Sequence, residues 1–136
     1  MIITDKELVK LANVARERSY CPYSNYSVGA ALLTKDGKVY TGANIENASY
    51  TPTVCAERVA LFTAVHAGER DFEAIAIVGG PLGKPAVTPA TPCGVCRQVL
   101  SEFADSSLRV LVGTAEEIIS FTLGELLPHS FGKESM

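Results

Sequence analysis

Cys55 on one side and the pair Cys93 and Cys96 on the other each open a stretch that reads as a helix, and this constrains the fold more than any other feature. The first stretch begins Cys55-Ala56-Glu57-Arg58 and the second Pro92-Cys93-Gly94-Val95-Cys96. Cys93 and Cys96 are three apart and so share a helix face. A helix N-terminus carries partial positive charge and unpaired N–H groups, which favour thiolate over thiol. If the three sulfurs hold one ion, both helix N-termini must converge on it. Cys55 and Glu57 are two apart and would point nearly opposite ways inside a helix. At a first turn that objection weakens, because the ion can sit beyond the helix end.

The remaining punctuation supports alternating elements. Thr4-x-x-Glu7 is a capping box ahead of Leu8, Leu11, Val14 and Ala15, which fall at helical spacing. That helix is expected to stop before Cys21-Pro22. Ser27–Thr34 and Val39–Ala43 flank Lys35-Asp36-Gly37-Lys38, a hairpin signal. After a polar loop from Asn44 to Pro52, the sequence predicts a helix over Cys55–Ala67 closed by Gly68. A continuous apolar strand follows over Glu73–Gly79, buried on both faces. Prolines 81, 85, 89 and 92 mark a loop; then come a helix over Cys93–Phe103, a strand over Leu108–Gly113 and a weaker one over Glu117–Phe121. Thr122-x-x-Glu125 caps a short last helix ending at Pro128. A hairpin followed by alternating helices and strands requires crossovers and a parallel segment of sheet. The expected class is α/β: three layers, with a mixed sheet of roughly five strands.

A chain of 136 residues fits one domain, residues 1–136, which buries roughly 68–70% of its unfolded surface. With 47% hydrophobic and 20% charged residues it is expected to be globular. The longest apolar runs, Ala74–Val78 and Val110–Val112, are too short to span a bilayer, so no membrane association is expected. No leader-like opening is visible, which points to a cytoplasmic location. The net charge of −3, with no block of like charges, argues against a phosphate-tracking surface and hence against a nucleic-acid partner.

Four cysteines in a reducing compartment read as metal ligands or catalytic groups rather than disulfides. Histidine ligation has little scope, since only His66 and His129 exist; His66 reads as a charge near a helix C-terminus. Cys21 reads as a small buried hydrophobe. Three thiolates are one ligand short of the closed shell of a structural zinc site, which leaves a position for water. Glu57, two residues from the first thiolate, is placed to move that water's protons. Three thiolates and Zn²⁺ sum to −1, so a group that draws charge from sulfur is expected nearby; Arg58 is the first candidate and Arg97 the second. A redox pair at Cys93-x-x-Cys96 stays open at this point. So does a structural zinc whose fourth ligand is Glu57 or a histidine.

The pattern is similar to the H-x-E and P-C-x-x-C boxes of zinc deaminases, with Cys55 where histidine often stands. More fully, the chain resembles the small, single-domain, homotetrameric cytidine deaminases. The resemblance runs through Tyr23-Ser24, Ser27-Val28-Gly29-Ala30-Ala31, Asn44-Ile45-Glu46-Asn47, Cys55-Ala56-Glu57-Arg58, Pro92-Cys93-Gly94-Val95-Cys96-Arg97-Gln98 and Leu126-Leu127-Pro128. It implies hydrolytic deamination of cytidine and 2′-deoxycytidine, as in pyrimidine salvage, with one Zn²⁺ per chain on Cys55, Cys93 and Cys96. Glu57 would take a proton from water, deliver it to ring N3 and later help protonate the leaving amine. Asn44 and Glu46 match the family's ribose pair, and Ala56 is expected among the substrate-binding residues. Tyr26 falls where the family usually carries phenylalanine against the substrate. The resemblance implies that Phe131, and Tyr50 at a subunit contact, reach the pocket from neighbouring subunits. Arg58, Arg97 and Gln98 would support the centre from outside.

Two other functions compete. A related deaminase could act on a nucleoside antibiotic or on a nucleotide, although no cluster of basic residues suggests a phosphate pocket. A structural zinc module that binds a partner would need a closed metal shell and no Glu57.

Overall fold

The computed structural model describes residues 3–136. Helix α1 (Asp5–Ala15) begins at Thr4, where the predicted capping box forms: the Glu7 N–H donates to Thr4 Oγ1 at 3.1 Å and the Thr4 N–H to Glu7 Oε1 at 2.9 Å. A 3₁₀ turn over Arg16–Arg18 follows. The chain then runs through β1 (Tyr26–Thr34), β2 (Val39–Ala43), α2 (Ala56–His66), β3 (Phe72–Pro81), α3 (Gly94–Phe103), β4 (Arg109–Gly113), β5 (Ile118–Thr122) and the short α4 (Leu123–Leu126), before a 3₁₀ turn at Lys133–Ser135. The strands form one sheet in the order β2-β1-β3-β4-β5. Only β3 and β4 pair in parallel; the other three pairs are antiparallel. This is the mixed sheet expected of a hairpin joined to a crossover.

Alternation along the central strands divides the core in two. Ala30, Leu32, Ile75, Ile77, Val110 and Val112 face α2, α3 and Leu123 of α4, packing with Ala60, Leu61, Ala64 and Leu100. Ala31, Leu33, Ala74, Ala76, Val78 and Leu111 face α1, where Leu8, Val9 and Ala12 cover them. The result is three layers with the sheet in the middle.

Two glycines let the helices lie close to the sheet. A Cβ at Gly29 would stand 2.0 Å from the Ala12 carbonyl oxygen, and one at Gly42 would stand 2.5 Å from the Ala60 nitrogen and 2.7 Å from the Ala56 carbonyl oxygen. Neither position tolerates a side chain without moving a helix backbone. Gly42 therefore fixes how the first turn of α2, with Ala56, sits on β2.

Several boundaries differ from the sequence reading. In α1, Leu8, Val9, Ala12 and Ala15 are buried, while Leu11 and Val14 face outward. The missing Cβ of Gly29 seats the helix backbone at Ala12 on β1, so this face is buried and the larger apolar Leu11 and Val14 point away from it. The first helix does stop before Cys21-Pro22 as expected: α1 ends at Ala15, the 3₁₀ turn carries the chain to Arg18, and Tyr20 then forms an extended bridge with Ile45. Strand β3 runs past Gly79 to Pro81, because β1 pairs with it as far as Tyr26. Gly79 is not a terminator there: a Cβ would lie 2.9 Å from that of Ala90 and 3.2 Å from the Tyr26 ring. Among the described residues, no helix is long and apolar enough to cross a membrane.

Candidate active site

Cys55 and Cys93 are the N-caps of α2 and α3 rather than their first helical residues, with extended backbones at φ −76°, ψ 154° and φ −67°, ψ 166°. This resolves the spacing of Cys55 and Glu57. The cysteine lies outside the helical turn, whereas Glu57 lies inside it. The Cys55 carbonyl accepts the N–H groups of Arg58 and Val59, and the Cys93 carbonyl accepts that of Arg97, so each ligand is tied to its own helix by its main chain. Cys93 Sγ also accepts the Cys96 N–H at 3.4 Å.

The two helix ends meet. The Sγ atoms of Cys55, Cys93 and Cys96 all lie within 4.8 Å of one another. Cys55 Sγ and Cys93 Sγ are 3.8 Å apart, and all the cysteines are free thiols. A tetrahedral zinc with Zn–S bonds of about 2.3 Å spaces its sulfurs about 3.8 Å apart, so the pair has the separation that the ion needs. Among the described residues, no histidine, aspartate or glutamate joins the three sulfurs to close the shell. The electrostatics agree with a cation site. Hydrogen bonds from Cys96 and from the Arg58 guanidinium hold the Cys55 thiol down to about 5, while the bond with Cys55 and burial push the Cys96 thiol up. Three sulfurs this close carry three charges together only when a cation lies between them.

Around this cluster Arg58 Nη2 donates to Cys55 Sγ at 3.5 Å, and Arg58 Nε is buried without a hydrogen-bond partner. Ala56 is fully buried and Glu57 is 4% exposed. Burial, helped by the negative charge on Cys55, pushes the Glu57 carboxyl up to about 7.

Arg97 corrects the sequence expectation. Its Nε donates to the Pro92 carbonyl at 2.7 Å and its Nη1 to the Leu126 carbonyl at 2.8 Å, so it ties the approach to α3 and the end of α4 to each other rather than bonding sulfur. The physical reason is local: two backbone acceptors lie within reach of its planar fork. Gln98 Nε2 donates to the Phe131 carbonyl at 2.9 Å and so anchors the C-terminal segment on α3.

The expected sugar pair is brought to the same end of the sheet. Ile45 and Val54 exchange hydrogen bonds of 3.0 and 2.9 Å, closing the base of the polar loop and setting Asn44 and Glu46 beside the approach to Cys55. Asn44 is pinned through both side-chain atoms: Oδ1 accepts the Val28 N–H and Nδ2 donates to the Tyr26 carbonyl, each at 2.9 Å. Glu46 accepts the N–H groups of Tyr23 at 2.9 Å and Ser24 at 3.1 Å, and also the Ser24 hydroxyl. These donors, the Ser24 hydroxyl first, hold its carboxyl below the usual carboxylate range. A cavity of about 260 Å³ adjoins it, lined by Tyr23, Ser24, Glu46, Asn47, Tyr50 and Thr53. Tyr23 and Tyr50 meet edge to face with centroids 6.3 Å apart. Tyr26 is partly exposed at the start of β1, whereas Tyr50 and Phe131 are 75% and 62% exposed. Sequence reasoning gave Ser24 no role. The signal available was its place in the turn Pro22-Tyr23-Ser24-Asn25, which ends on Asn25 in the left-handed region at φ 55°.

A family model described as "Cytidine and deoxycytidylate deaminase zinc-binding region" matches residues 2–113. A cytidine deaminase of Halalkalibacterium halodurans is 50% identical over 130 residues, covering 95% of this chain and 95% of the relative. One from Sporosarcina psychrophila is 46% identical, covering 96% and 93%. The crystal structure of cytidine deaminase from Burkholderia pseudomallei superposes with a TM-score of 0.88 at 46% identity, covering 95% of this chain and all of that one. Three sulfurs at two converging helix ends, the mixed five-stranded sheet and near full-length similarity agree: this chain belongs to the cytidine deaminase family, in its small zinc-binding form with three cysteine ligands.

Proposed function

We propose that this protein hydrolyses cytidine and 2′-deoxycytidine to uridine and 2′-deoxyuridine, releasing ammonia. The observation that carries the reading is the open group of three sulfurs with the buried carboxyl of Glu57 in the first turn behind Cys55. The full-length similarity to relatives named as cytidine deaminases supports it.

Cys55, Cys93 and Cys96 would hold one zinc, which when bound supplies Lewis-acid activation of water near neutral pH. Glu57 handles the protons. Shielded from bulk solvent, its carboxylate accepts a proton from the attacking water and delivers it to ring N3. It then helps protonate the departing amine. Arg58 draws charge from the Cys55 sulfur, offsetting the net negative charge of three thiolates on one divalent ion.

The nucleoside lies with its sugar toward Asn44 and Glu46 and its base against Ala56 and the Tyr26 ring. Asn44, with both polar atoms already tied to β1, presents its remaining N–H in a fixed direction. Such a group binds a sugar hydroxyl sharply because a ligand without one leaves it unpaired. Tyr50 and Phe131, large apolar rings left open to solvent, would complete pockets of neighbouring chains in a homotetramer. Arg97 and Gln98 act at one remove, holding the Pro92, Leu126 and Phe131 segments in place.

The test is direct. Purified protein is mixed with cytidine while ultraviolet absorbance and ammonia are followed alongside zinc stoichiometry and sedimentation. Conversion by a tetramer with one zinc per chain is the expected result. One zinc per chain with cytidine unchanged would instead identify a binding module.

A further inference from the structure

The carboxylate of Glu46 offers about four lone-pair sites. Three are taken inside the protein: two on Oε1 by the Tyr23 and Ser24 N–H groups, and one on Oε2 by the Ser24 hydroxyl. One acceptor site on Oε2 is left for a ligand. The direction of that site depends on Ser24, whose hydroxyl is itself fixed. Ser24 Oγ accepts the Tyr26 N–H at 3.0 Å, which leaves its single O–H to point at Glu46. The Tyr26 carbonyl in turn accepts from Asn44 Nδ2 at 2.9 Å. Glu46, Ser24, the Tyr26 main chain and Asn44 thus form one continuous hydrogen-bonded chain. It passes through three of the residues assigned to the substrate.

We propose that Ser24 is a positioning residue for sugar recognition: its hydroxyl locks the Glu46 carboxylate so that one remaining acceptor, beside the free N–H of Asn44, meets a single secondary hydroxyl of the nucleoside. The inference rests on the proposed deamination of cytidine and adds to it a residue that never touches the reacting atoms. Without the Ser24 hydroxyl, Oε2 has two open acceptor sites and the carboxylate is held only through Oε1, on the Tyr23 and Ser24 N–H groups. The ligand hydroxyl must then order a group that the wild-type chain holds ready.

The experiment compares Ser24→Ala and Ser24→Thr with the wild-type enzyme on cytidine and on 2′,3′-dideoxycytidine, whose sugar lacks both secondary hydroxyls. Ser24→Ala is expected to lower kcat/KM on cytidine by roughly tenfold, the loss of about one charge-assisted hydrogen bond. On the dideoxy substrate it is expected to change kcat/KM by less than about twofold, since that ligand makes no use of the locked carboxylate. Ser24→Thr, which keeps the hydroxyl at an exposed position, is expected to restore cytidine activity. An equal loss on both substrates assigns Ser24 to the fold alone and overturns the inference, as does no loss on either. A wild-type chain inactive on cytidine overturns the proposed function and this inference with it.

Discussion

Arg58 Nη2 stands 3.5 Å from the sulfur of Cys55, while the Nε of the same guanidinium is buried with no partner at all. A buried N–H left unpaired costs free energy, and this guanidinium carries that cost while donating to the sulfur. The electrostatic role proposed for it, easing the negative charge of the thiolate group, has a measurable consequence. Arg58→Ala is expected to lower kcat/KM by roughly 10–100-fold while the protein keeps close to one zinc per chain after dialysis. Equal loss of metal and of turnover would show instead that Arg58 holds the site together.

Glu57→Gln keeps the shape of the buried side chain and removes its capacity to carry a proton. Turnover is expected to fall by at least about 10²–10⁴-fold with zinc retained, read from steady-state rates and metal analysis on one sample. A variant within tenfold of wild type would remove Glu57 from the proton-transfer role.

Metal loading should be linked to pH. The Cys96 thiol, pushed up by its bond to Cys55 and by burial, keeps its proton in the metal-free chain at neutrality and must lose it to ligate. Zinc uptake therefore releases at least one proton, and affinity falls as pH falls, by about tenfold or more per pH unit around neutrality. Calorimetry in two buffers of different ionisation enthalpy measures the released protons. A binding constant flat with pH would contradict the assignment.

Gly42→Ala tests how α2 is seated. The added Cβ would press on the backbone at Ala56 and Ala60, so the helix must lift from β2. The expected cost is about 1–3 kcal/mol in denaturant unfolding, with weaker zinc retention because Cys55 caps the displaced helix. Gly94→Ala, where a Cβ meets nothing within 4 Å, is the control and should leave stability nearly unchanged.

Much of this architecture can be read from local pattern. The capping box at Thr4, the hairpin around Gly37 and the cysteines at two helix starts all lie where short-range chemistry puts them. What was hidden depends on contacts distant in sequence. Gly79 reads as a strand terminator until the Tyr26 ring and Ala90 are seen to fill its side-chain space. Leu11 and Val14 look like core residues, but the tight seat of Ala12 on Gly29 turns them outward. Arg97 beside Cys96 suggests a sulfur partner, and only the folded chain brings the Leu126 carbonyl to it. The turn around Ser24 is visible locally, but its partner is not, because Glu46 arrives across a bridge formed by Tyr20, Ile45 and Val54.

That bridge separates two jobs within one stretch of chain. Its inner side sets Val54, the residue before Cys55, against Ile45, whereas its outer side, Asn47–Thr53, is held by local turns of its own, with the Asn47 N–H on Thr53 Oγ1 and the Thr53 N–H on the Tyr50 carbonyl. The outer arm closes on itself, so Tyr50 is presented from a turn whose own hydrogen bonds do not run through the helix that Cys55 caps.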